Sequence, residues 1–109
     1  MVSDLNNNTP LTEALFYILL ATRTPIHGYG IIQEVNELTK GKVNLGPGTL
    51  YGAINSLQNK GYIKLYSEEK ESRKKKEYLI TDDGKDAFRF EVQRLEEMVN
   101  NSRLMEELK

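Results

Sequence analysis

Residues 46–81 read GPGTLYGAINSLQNKGYIKLYSEEKESRKKKEYLIT, and this stretch decides the fold. Leu50, Ala53, Ile54 and Leu57 fall at i, i+3, i+4 and i+7, so a helix formed here carries one apolar stripe. Gly46-Pro47 opens it, because proline lacks an N–H that the first helical turn could not use. Lys60-Gly61 closes it with a cation near the negative end of the helix and a glycine for the turn that follows. Tyr62 to Ser67 and Lys76 to Thr81 are rich in β-branched and aromatic residues and alternate as half-buried strands do. Glu68 to Lys75 holds no apolar residue and reads as the tip of the hairpin between them.

Upstream, Thr9-Pro10 precedes Leu11, Ala14, Leu15, Ile18 and Leu19, which predicts a capped helix ending at Arg23-Thr24-Pro25. Phe16 and Leu20 lie off its main stripe, so this helix is apolar on more than one face. His27 or Gly28 to Thr39 forms a second amphipathic helix, with Ile31, Ile32, Val35 and Leu38 on one side and Gly41 as its stop. Lys42 to Leu45 is a short extended connection. Downstream, Thr81 or Asp82 caps a helix running towards Lys109, with Phe88, Val92, Leu95 and Val99 spaced four, three and four.

The order helix, helix, helix, strand, strand, helix is mostly α with a small β-hairpin. It is the plan of a winged helix-turn-helix plus a long C-terminal dimerisation helix. The organisation expected is a flexible N-terminal segment at 1–9, a winged helix-turn-helix at 10–81 and the dimerisation helix at 82–109. A helix over 82–109 would be about 40 Å long, more than a domain of some 80 residues can cover. Its seam of Phe88, Val92, Leu95 and Val99 is most simply buried against a second subunit; a shorter helix folded back on its own core and frayed after Asn100-Asn101-Ser102 is the alternative. Leu11 and Leu15 of the first helix, apolar on more than one side, join that seam.

Net charge is −1, which by itself argues against a polyanionic partner. The distribution argues otherwise. Residues 1–59 hold three Lys/Arg and four Asp/Glu, residues 60–81 hold seven and four, and residues 82–109 hold five and eight. A basic hairpin thus sits between a near-neutral start and an acidic end, and its location matters more than the total.

Once its apolar stripe is assigned to the core, the third helix leaves Thr49, Tyr51, Gly52, Asn55, Ser56, Gln58 and Asn59 outside. Hydroxyl and amide groups on a helix that fits the major groove suit base edges and phosphates. Gly52 allows close approach to a duplex, at roughly 1 kcal/mol of helix stability against alanine. An ordinary solvated face explains the same residues equally well. Arg73-Lys74-Lys75-Lys76, four consecutive cations beside that face, favours nucleic acid, with a salt-sensitive and sequence-independent contribution. A module that used the face to bind protein would not need them.

Catalysis has little to stand on. The chain has no cysteine and one histidine, His27, which reads as a helix-start or turn residue with no triad or ligand spacing around it. Gly28-Tyr29-Gly30 follows no strand and lacks the spacing of a nucleotide-binding loop. Neither a metal nor a cofactor is expected, nor an enzymatic activity. A polar N-terminus and no apolar run near 20 residues predict a cytoplasmic protein without membrane contact.

Leu11-Thr12-Glu13-Ala14-Leu15, Pro25-Ile26-His27-Gly28-Tyr29-Gly30-Ile31, Gly46-Pro47-Gly48-Thr49-Leu50-Tyr51, Leu57 to Ile63, and Arg73 to Thr81 followed by Gly84 together form a specific pattern. In it the sequence resembles the PadR family of transcriptional regulators, in the short branch with a single C-terminal helix. The resemblance covers Leu11 to about Val99. It implies a homodimer that represses promoters at near-palindromic operators in double-stranded DNA and is released by a small molecule. It implies base or backbone contacts for Thr49, Tyr51, Asn55, Ser56 and Lys60 in helix 47–60. It implies phosphate contacts for Arg73, Lys74, Lys75 and Lys76 in the wing, 68–76. Tyr29 either meets phosphate or packs the second helix on the third. Some members bind aromatic compounds between subunits. This chain has no tryptophan to stack on them, and Phe16, Phe88, Phe90, Met98 and Met105 either line a site for a small hydrophobic effector or, as aromatic and methionine residues at helical spacing commonly do, pack in the core.

Overall fold

The computed structural model describes residues 10–68 and 76–108. Along them run α1 (Glu13–Ala21), β1 (Ile26–His27), α2 (Gly28–Leu38), α3 (Pro47–Asn59), β2 (Ile63–Glu68), β3 (Lys76–Ile80), α4 (Asp82–Ser102) and a 3-10 segment, Arg103–Leu108. This is the winged helix-turn-helix with a long C-terminal helix that the pattern predicts, and it contains one strand more than expected.

Side chains set where the helices start. Thr12 caps α1 by accepting the Leu15 amide at 3.1 Å, so the helix begins at Glu13 and Pro10 lies outside it; Thr9 is outside the described residues. His27 caps α2, its Nδ1 accepting the Gly30 amide at 3.2 Å. Thr81 caps α4, accepting the Gly84 amide at 3.0 Å while its own hydroxyl donates to the Gly61 carbonyl at 2.6 Å. That second bond ties the end of α3 to the start of α4. It is also why β3 stops at Ile80, one residue short of the predicted strand.

Helix ends follow from backbone handedness. After α3, Gly61 at φ +77° lets its amide reach the Gln58 carbonyl and the Tyr62 amide reach that of Leu57, a double closure that satisfies two carbonyls at the helix end. After α2 the same pair of bonds forms from Lys40 and Gly41 to Glu37 and Asn36. There the left-handed turn begins at Lys40 (φ +54°), one residue before the glycine expected to stop the helix.

β1 is two residues long and pairs with β3, Ile26 against Tyr78 and His27 against Glu77, giving a three-stranded antiparallel sheet in the order β1-β3-β2. Two residues show no alternation, which is why pattern alone misses the strand. β2 runs against β3 from Ile63–Ile80 to Leu65–Tyr78, then slips by a residue so that Ser67 faces Glu77. This bulge at Tyr66 bends the wing.

The core lies where the sheet meets three helices: Ile18 and Leu19 from α1, Ile31 and Val35 from α2, Leu50, Ile54 and Leu57 from α3, and Tyr62, Ile63, Tyr78 and Ile80 from the hairpin are buried. Each such aliphatic side chain stabilises the fold by about 1.5–3 kcal/mol. Thr22 and Thr39 are buried without being orphaned. Thr22 donates to the Leu19 carbonyl and Thr39 to that of Val35, while the Thr39 oxygen accepts from Val43. The Ile80 amide donates to the Thr22 carbonyl, fastening β3 to the end of α1.

α4 crosses α1 through its first turns, where Phe88 stacks on Phe16 with ring centres 4.6 Å apart. Beyond them it leaves the domain: every described residue from Leu95 onwards is exposed. The radius of gyration is 16.0 Å, against about 13 Å for a compact chain of this length. The α-helix ends at Ser102 and continues as 3-10 turns, so the uninterrupted helix to Lys109 is shorter than expected; Lys109 itself is outside the described residues.

Candidate nucleic-acid interface

The apolar stripe of α3 points into the core, and its other side is left open. Thr49, Tyr51, Gly52, Asn55, Gln58 and Asn59 are exposed, Ser56 is half-buried, and Lys60 is exposed at the C-terminal cap. Apart from chain neighbours and the helix's own backbone, no described atom lies within 4 Å of the Cβ position at Gly48 or Gly52, so the backbone itself is accessible along this face. Tyr29, at the first turn of α2, is 66% exposed. That removes the reading in which it packs α2 on α3. Tyr51 makes this contact instead, its hydroxyl resting against Gly28.

The wing stands beside α3 through the Gly61–Thr81 bond. Lys76 is exposed at the start of β3, opposite Glu68. Arg73, Lys74 and Lys75 lie outside the described residues. On β2, Lys64 is exposed and adds a cation to the hairpin that the sequence reading passed over. Its alternation with buried Ile63 was the available signal. At the other end of α2, Arg23 pairs with Glu34 and bonds the Leu20 carbonyl, locking α1 to α2.

The base of the wing depends on Gly84. Thr81 donates its amide to the Tyr62 carbonyl at 2.9 Å, and α4 then turns so closely over this carbonyl that a Cβ on Gly84 would sit 2.1 Å from its oxygen. The end of α3, the wing and α4 meet at this point.

On α4 the unexpected feature is Glu91, which is 4% exposed. Arg94 grips it in a fork, Nε to Oε1 at 2.9 Å and Nη2 to Oε2 at 2.6 Å. The fork holds the carboxyl below the usual carboxylate range. Burial opposes that shift, and the charge of Arg94 and the Leu11 amide add to it. A lowered folded value means the pair stabilises the protein above about pH 4.3, the ordinary glutamate value, and that this stability is lost as pH falls through the folded value. Glu91→Gln should therefore cost about 1–3 kcal/mol at neutral pH and flatten the fall in melting temperature between about pH 5 and pH 3. Thermal melts across that range check it; equal slopes for the two proteins would show that Glu91 titrates no differently folded than unfolded.

Leu11, Leu15, Phe88 and Val92 are half-buried within the subunit, whereas Leu95 and Val99 are 36% and 55% exposed. Of the residues expected at a dimer seam, Leu11, Leu15 and Phe88 pack against the subunit's own core, whereas Leu95 and Val99 are left exposed. Phe16, Val92, Leu95 and Val99, with Glu96, Asn100 and Arg103, line an open groove of about 450 Å³ along α4. Phe90, Met98 and Met105 are exposed and lie outside that lining. Among the described residues no three His, Cys, Asp or Glu side chains gather as metal ligands, and no helix is long and apolar enough to cross a membrane.

Solved structures of other proteins share this fold. The chain is similar to a PadR family transcription regulator from Clostridium difficile R20291, 28% identical over 85% of this chain and 99% of the other, with a TM-score of 0.68. It is similar to a transcriptional regulator from Clostridium thermocellum, 26% identical over 86% and 87% of the two chains, with a TM-score of 0.66. RosR of H. salinarum, in its complex structure, is 26% identical over 88% of this chain and 77% of the other, with a TM-score of 0.65. No curated protein matches. The family model described as the transcriptional regulator PadR-like family matches residues 17–90, which run from the middle of α1 through α2, α3 and the hairpin into the first turns of α4. The chain belongs to the PadR-like family of transcriptional regulators.

Proposed function

We propose that this protein is a homodimeric repressor that binds a near-palindromic operator in double-stranded DNA. The observation that carries the reading is the open outer face of α3, where polar side chains and two unobstructed glycines stand beside the hairpin that bears the cationic run. Thr49, Gly52, Asn55 and Ser56 approach base edges in the major groove, with Asn55 able to pair bidentately with adenine. Tyr29, Tyr51, Lys60 and the wing cations Arg73 to Lys76 hold phosphates, which set register and supply most of the salt-sensitive affinity.

Residues 10–81 form the reading unit and 82–109 the assembly helix. Two copies meet along Leu95 and Val99, joined by the half-buried Leu11, Leu15, Phe88 and Val92, and so space their reader helices about one duplex turn apart. The protein works in the cytoplasm, and a small hydrophobic effector lodged against Phe16 and Val92 releases it from DNA. Selection of bound fragments from genomic DNA tests the reading. Enriched sites should contain inverted half-sites centred about 10 base pairs apart; absence of enrichment from a folded protein would point instead to a protein partner for the α3 face.

A further inference from the structure

Glycine is the least favourable residue in a helix after proline, yet Gly28 stands at the first position of α2. Its backbone does not require it: the described glycines with positive φ are Gly41 and Gly61 alone. Space does. A Cβ on Gly28 would lie 2.6 Å from the Tyr51 hydroxyl, 3.1 Å from Tyr51 Cζ and 3.3 Å from Leu50 Cδ2. Gly28 is buried, and Tyr51 belongs to the outer face of α3 and is 52% exposed. The end of the ring therefore rests on the α2 backbone while much of the side chain faces outward.

An exposed tyrosine ordinarily exchanges among staggered rotamers. One seated in a notch does not, and a donor already in place loses less freedom on binding. We propose that Gly28 is a positioning residue for DNA binding: its missing side chain forms a notch that holds the Tyr51 hydroxyl as a preorganised hydrogen-bond donor to a DNA phosphate. The inference rests on the DNA-binding reading above. The atom a methyl group would strike first is the far end of a flexible side chain, so Gly28→Ala displaces Tyr51 while leaving the fold standing.

The test compares wild type, Gly28→Ala, Tyr51→Phe and the double variant, each titrated against a fluorescein-labelled duplex of about 30 base pairs and mixed sequence, three turns of DNA. Losing one hydrogen bond per subunit should weaken binding about 5- to 20-fold for Tyr51→Phe. Gly28→Ala should cost a similar factor in wild type and less than twofold once Tyr51 is Phe, with melting temperatures close to wild type. A purely structural role for Gly28 would instead lower melting and affinity alike, whatever stands at 51. Nuclear Overhauser contacts between the Gly28 α-protons and the Tyr51 ring in the free wild-type protein give a second measurement that needs no variant to fold; their absence overturns the notch. Losses that multiply in the double variant, or Tyr51→Phe binding as wild type does, overturn it too while leaving the DNA-binding reading intact. A wild-type protein that binds no duplex removes both.

Discussion

Gly84→Ala should destabilise the protein by about 2–4 kcal/mol and lower its melting temperature by roughly 10–20 °C. The new Cβ would lie 2.1 Å from the Tyr62 carbonyl oxygen and 2.8 Å from Ile80 Cγ1, and the first of these is backbone that cannot swing aside. Relief requires α4 to lift from the hairpin, which strains the Thr81 bonds to Tyr62 and Gly61. Gly52→Ala makes the same chemical change on an open helix face, where nothing beyond chain neighbours and the helix's own backbone is within 4 Å. There the methyl group should stabilise by about 1 kcal/mol through helix propensity. Thermal melts of the two variants should move in opposite directions; a Gly84→Ala protein as stable as wild type would mean that α4 does not turn over Tyr62 as described.

If two copies meet along α4 as proposed, the double variant Leu95→Glu, Val99→Glu should be a monomer and bind a duplex at least about 100-fold more weakly, or 2.7 kcal/mol. Carboxylates forced into an apolar seam must be desolvated or must separate the subunits, and Glu96 and Glu97 already place negative charge beside them. Both substituted positions are exposed within one subunit, so its melting transition should change little. Sedimentation velocity combined with duplex titration checks this. A variant that stays dimeric, or a monomer that binds DNA as tightly as wild type, would take the α4 seam out of the mechanism.

The helices that build the core were legible because their apolar residues repeat with the helical period over about two turns, as Leu50, Ala53, Ile54 and Leu57 do. The wing was legible as two alternating runs around a polar tip. What the sequence hid has physical reasons. β1 is too short to show a period and forms because β3 offers it a free edge. Glu91 and Arg94, three residues apart on a polar helix, look like any solvated ion pair; only the approach of Leu11 and α1 buries the acid. Gly28 and Gly84 appear in the family pattern without their reasons, because each depends on a crossing between elements distant in the chain. Tyr29 stood between two readings until its exposure removed the packing one.

Binding of the wild-type protein to a labelled duplex across a series of salt concentrations, alongside a variant with Arg73, Lys74, Lys75 and Lys76 neutralised, tests the central claim most directly. With three or four phosphate contacts per subunit, the wild-type dimer should lose affinity with a log-log slope of roughly −5 to −7, and the variant's slope should be shallower by about two or more. A folded wild-type protein that binds no duplex at low salt, or a variant whose slope is unchanged, would contradict a DNA-binding face built from α3 and the wing.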